Sequence, residues 1–222
     1  MLTKIFQLIN QDKSVLYPAM IAHFLLAWAG QRWLPQNGYG ALALLGLSGL
    51  LNLFVHLFTA ECARQIVLRP ALLFGQALGL SVKRYVPAFI FSGLLAALFL
   101  LVGLFFRRLG WFSWLGLPAL LTLGFALEIF PLVYVLSGVS APRIYYLIYL
   151  YFCREPRRSV QLFSFFISLS ILVNIGAAFL DKYLPVSLAA VATPLFGGFG
   201  MVFNIYGLAL LLLSGHRINE LV

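Results

Sequence analysis

The chain has 222 residues, of which 63 % are hydrophobic and 9 % charged, with a formal net charge of +9. A soluble domain carries about 45–50 % apolar and about 25 % charged residues, so this composition cannot clothe a water-facing surface. Nor does the basic excess point to nucleic acid, because in a membrane protein Lys and Arg hold the cytoplasmic loops in place.

Apolar runs of about 20 residues recur along the chain, long enough to cross about 30 Å of hydrocarbon as helices. The expectation is one all-α polytopic membrane domain over residues 1–222, with spans at 15–34, 41–61, 86–106, 117–137, 159–180 and 195–214. The first span follows "LTKIFQLIN" and Lys13. Lys4 and Lys13 before an apolar run, with "AWA" at 27–29, imitate a cleaved signal. Pro18 and His23 interrupt that run, so the segment is read as retained. The second span ends at Glu61 and Cys62, and Glu61 stands three residues before Arg64, the spacing of an ordinary helix-surface ion pair. Cys62 and Cys153 fit no metal or redox spacing and are expected to be reduced thiols near cytoplasmic helix ends.

"PALLFGQALGL", then Lys83 and Arg84, leads into the third span; "PRIYYLIYLYF", then "REPRRS", leads into the fifth. With the N-terminal segment these form a unit that recurs three times: an interfacial helix, a basic elbow and a span. The apolar parts are about 10–13 residues long, too short to cross the bilayer but suited to the headgroup plane. Lys83, Arg84, Arg154, Arg157 and Arg158 are therefore expected to meet anionic lipid headgroups. Three helical hairpins follow from the repeat. "GQALG" at 75–79 is a small-xxx-small pattern that would admit a close helix, and "PLFGGFG" at 194–200 is expected to break or thin the start of the sixth span. Tyr145, Tyr146, Tyr149 and Tyr151 read as an interfacial aromatic anchor.

Orientation follows from the basic residues. Eleven fall on one side (Lys4, Lys13, Arg64, Arg69, Lys83, Arg84, Arg143, Arg154, Arg157, Arg158 and Arg217) and four on the other (Arg32, Arg107, Arg108 and Lys182). This places both termini in the cytoplasm, and Trp28, Trp33, Trp111 and Trp114 all at the outer interface.

Two stretches share a cadence: "VLRPALLFGQALGLSVKRYVPAFIFSGLL" and "LEIFPLVYVLSGVSAPRIYYLIYLYFCREPRRSVQLFSFFISL". Over residues 60–180 the chain resembles the membrane domain attached to some glycerophosphoryl diester phosphodiesterases, and related six-span bacterial and archaeal membrane proteins. The resemblance implies an architecture and a bacterial or archaeal plasma membrane, and it supplies no catalytic residue. The acidic residue typical of that group after the fourth span is missing here, where "LSGVSAP" stands.

The fourth span contains "ALEIFPLVY", with Glu128 deep in an apolar run. An ionisable group at that depth costs about 2.5–3.5 kcal/mol on insertion scales and usually has a partner. Aligning Pro70 with Pro142 sets His56 opposite Glu128, and Asn52 shares the face of His56. His23, Asn174 and Asn204 complete an expected intramembrane polar cluster. Two readings follow: polar side chains that hold helices together, or a pair that carries protons or binds a cationic group. Pro131 frees the carbonyl of Leu127 and predicts a local kink.

No metalloprotease helix motif and no glycine-rich phosphate loop occurs, so neither metal nor cofactor is expected. The first functional expectation is a non-enzymatic membrane module or accessory subunit that contacts lipid, a protein partner or a second copy. A small transporter or channel built on Glu128 and His56 is the second. A lipid-modifying enzyme at the cytoplasmic interface, using Glu61 and Cys62, is the third.

Overall fold

The computed structural model describes residues 2–11, 13–33, 38–68, 73–108 and 116–213; at 2, 30–33, 38–46, 68, 141–142 and 151–152 the description extends to the backbone alone. Among the described residues the chain is all α, without strands. Its helices are α1 (Leu2–Gln11), α2 (Leu16–Trp33), α3 (Gly38–Leu68), α4 (Phe74–Arg108), α5 (Gly116–Ser137), α6 (Ala141–Arg154), α7 (Pro156–Tyr183) and α8 (Val186–Leu213). A single 3-10 turn, Lys13–Val15, joins α1 to α2. Of the long helices, α4, α5, α7 and α8 are long and apolar enough to cross a membrane.

The packing has an inner and an outer tier. Helices α3, α5 and α8 contact one another and contribute most of the core, including Phe58, Phe130, Leu132, Ile205 and Leu208. Outside them α2 lies against α3 and α8, and α4 lies against α3 and α5. α7 lies along α8 and meets α5 chiefly where the Phe125 ring touches Phe163 and Phe166. The outer faces of α4 and α7 are apolar and bare, with Leu94, Leu101 and Phe105 on one and Leu172, Ile175 and Phe179 on the other. In water such faces would drive aggregation; in hydrocarbon they are the natural surface.

Short helices sit where sequence breaks allow them. α5 ends at Ser137, and Gly138 takes φ +66°, the left-handed stop that glycine adopts without steric cost. α6 then lies against α5, α4 and α7. Pro156 opens α7 at a first-turn position where its missing N–H costs nothing.

Three expectations are corrected. The segment before the third span is no separate interfacial helix: α4 runs unbroken from Phe74 to Arg108, through Lys83, Arg84 and Pro87. Lys and Arg are good helix formers, and Arg84 turns inward onto α3, so nothing forces an elbow. Of the three expected units, only the first and third keep a distinct leading helix. Second, "PLFGGFG" does not break α8, which begins at Val186 and passes through it. A Cβ on Gly198 would sit 2.7 Å from Met20 Cα and 2.8 Å from the Ala19 oxygen, so the small residue lets α2 lie directly on α8. Third, the glycines of "GQALG" admit no close helix: beyond its own backbone, Gly75 and Gly79 have no described atom within 4 Å of where a Cβ would stand, and it is Ala77 between them that is buried in the core.

Candidate functional site

All six long helices line one cavity of about 690 Å³. The six polar residues of the sequence-level cluster, His23, Asn52, His56, Glu128, Asn174 and Asn204, all stand on its wall. Helical spacing explains the convergence. Asn52 and His56 are four apart on α3, as are Ser170 and Asn174 on α7, so each pair shares one face. Gly49 and Gly93 keep the wall low, with nothing within 4 Å of where a Cβ would stand, while Gly200 lets Val173 of α7 close onto α8. The cavity lies where the outer tier is incomplete, beside the sparse contact of α7 with α5.

Glu128 and His56 face each other across α5 and α3, with Oε2 3.5 Å from Nδ1. The histidine side chain is 7 % exposed and the glutamate side chain 39 %. The carboxylate therefore reaches the cavity and is not sealed in the bundle. An imidazole with its proton on Nδ1, the nitrogen that faces the carboxylate, leaves Nε2 as an acceptor. Nε2 of His56 is buried and has no hydrogen-bond partner; the same holds for Asn52 Oδ1, Asn204 Oδ1 and Ser92 Oγ. By contrast two of the amide donors are engaged on their own helices: Asn52 Nδ2 donates to Ser48 Oγ at 3.4 Å, and Asn174 Nδ2 to the Ser170 carbonyl at 2.7 Å. Pro131, also on the wall, removes the N–H that would have bonded the Leu127 carbonyl.

A second charged cluster, read from sequence as a surface ion pair, is internal. Glu61 is fully buried and accepts from both Arg64 Nε, at 2.9 Å, and Arg84 Nη1. Arg84 also donates to the Val135 carbonyl at 3.1 Å in the last turn of α5 and lies over the Tyr134 ring. One carboxylate thus ties together the ends of α3, α4 and α5, and Arg84 satisfies a carbonyl that a helix terminus leaves without a donor. This overturns Arg84 as a lipid-headgroup residue. Lys83, Arg154 and Arg157 are exposed, and Arg158 is drawn to Glu155 at 3.8 Å. Spacing along the chain could not show the Glu61–Arg84 pair; the sequence signal was the wholly apolar or small setting of "FTAECA" around the acid.

Tyr145 is likewise no surface anchor. Its hydroxyl donates to the Phe91 carbonyl at 2.8 Å, fastening α6 to α4, while Tyr146 and Tyr149 are exposed. The side chain of Tyr151 lies outside the described residues, as do those of Trp33, Trp111 and Trp114; Trp28 is half-exposed. Cys62 is buried and Cys153 exposed, and neither is in a disulfide. Among the described residues no cluster of three potential metal ligands occurs.

Fold and site together define a class: a helical membrane protein with a cavity among its long helices whose largely apolar wall carries a cluster of polar residues. No family model, curated protein or solved structure matches this chain.

Proposed function

We propose that the chain is a six-span protein of a bacterial or archaeal plasma membrane, built of three hairpin units with both termini cytoplasmic, and that it binds and moves a polar solute through its intramembrane cavity. The observation that carries this reading is the half-exposed Glu128 on the wall of a cavity of about 690 Å³. That volume lies within the range of about 300–1,000 Å³ typical of small-molecule sites. Helix-holding polar residues would bond to one another across the interface, because an unpaired polar atom in hydrocarbon is costly. Here several polar atoms on the wall have no such bond. The enzymatic alternative is weakened by the burial of both Glu61 and Cys62, which keeps them from a lipid at the interface.

Access to the cavity is the test. In a background with both cysteines replaced, a water-soluble methanethiosulfonate should modify Ser170→Cys much faster than Leu172→Cys, which faces outward on the same helix. Equal, negligible labelling of both would remove the basis for transport.

A further inference from the structure

Resting on that cavity reading, we infer that the ligand is a primary ammonium: a hydrogen-bond-donating organic cation held by Glu128 and His56. The wall residues carry several acceptors without a partner; the Ser92 hydroxyl, also unpartnered, can donate as well as accept. The Glu128 carboxylate, His56 Nε2, Asn52 Oδ1 and Asn204 Oδ1 present acceptors, and three of these four atoms are buried without a partner. His56 and Asn204 are themselves more than nine-tenths buried. A carboxylate or phosphate ligand would find no Lys or Arg among the residues of this wall and would stand against Glu128. A neutral ligand would bring no positive charge to the Glu128 carboxylate. Of the described acids, Glu61 has two arginines, Glu155 has Arg158 and Asp181 accepts from the Thr193 hydroxyl, whereas the partner of Glu128 is a histidine.

The hydrogen-bond count separates a primary ammonium from a quaternary one. An –NH3⁺ group brings three donors and no acceptor, which matches a carboxylate, an imidazole nitrogen and an amide oxygen. A quaternary ammonium has no N–H and is recognised by aromatic cages; the aromatic lining here is two phenylalanines, Phe89 and Phe166, with the remaining wall aliphatic or polar. The same headgroup chemistry occurs on soluble alkylamines and on aminophospholipids, and the cavity sits in a bundle whose outer helices face lipid.

The test uses the full chain in phosphatidylcholine nanodiscs, with n-butylammonium, tetramethylammonium, butyrate and butyramide as probes read by calorimetry and thermal shift. Butylammonium should bind, and the other three should bind at least ten-fold more weakly. Glu128→Gln should reduce butylammonium binding at least ten-fold, with Glu128→Asp recovering part of it. Gly93→Leu, whose side chain enters open space beside the wall, should abolish binding in a protein that still elutes as a single species. Replacing phosphatidylcholine by phosphatidylethanolamine distinguishes the sources: loss of butylammonium binding by competition assigns the lipid headgroup, and unchanged binding assigns a soluble amine. Preferential binding of butyrate or butyramide that Gly93→Leu blocks would overturn the ammonium assignment and leave the cavity reading standing. Absence of binding by every probe, together with failure of Ser170→Cys to label, would overturn both.

Discussion

Glu61 and Glu128 are two carboxylates of the same bundle with opposite surroundings, and they should respond oppositely to substitution. Glu61 is wholly enclosed and neutralises two guanidinium groups. Removing one member of a buried ion pair costs about 3–5 kcal/mol, because the other charge is left without compensation. Glu61→Met should therefore lower stability by about that amount in detergent unfolding. Glu128 meets His56 at 3.5 Å and is partly open to the cavity, so Glu128→Gln should cost about 0.6 kcal/mol, the mean worth of a polar contact between membrane helices. Equal losses would mean that Glu128 serves packing. Sequence reasoning found Glu128 because an acid inside a long apolar run is conspicuous and a repeat offset of 72 pointed to His56. It misread Glu61 because the partner that matters, Arg84, lies 23 residues away on another helix.

At the level of elements, glycine separates two kinds of surface. On α8, Gly198 is where the backbone of α2 presses closest. Gly198→Leu should cost about 1–3 kcal/mol through overpacking, read as a fall in the melting temperature. On α4, Gly79 has open space around it, so Gly79→Ala should stabilise by about 1 kcal/mol through helix propensity. A neutral Gly198→Leu would show that α2 and α8 are not in direct contact. Both glycines look alike in the sequence, and the small-xxx-small pattern fell on the one that no described helix touches. The four long apolar helices α4, α5, α7 and α8 were legible because length and hydropathy suffice for them. The course of α4 was not, since a basic pair before a proline marks an elbow only if the base stays at the surface; Arg84 instead turns inward to Glu61 and Val135.

For the whole molecule, the proposed topology sets Cys153, exposed at the end of α6, on the cytoplasmic side, and Cys62 inside the bundle. An impermeant maleimide should label Cys153 in inside-out vesicles and not in right-side-out ones, with Cys62 protected until denaturation. Labelling of Cys153 from the outer face would invert the orientation. Composition and hydropathic run length alone determined that this chain is helical and belongs in a membrane, because a helix is the element that satisfies its own backbone in lipid and charges too few to cover a surface leave no other home. Tertiary packing decided the rest. Whether an acid is sealed by arginines or opened to a cavity, whether a glycine touches a helix or nothing, and which acceptors remain unbonded all depend on side chains brought together from distant parts of the chain, and no local pattern encodes that distance.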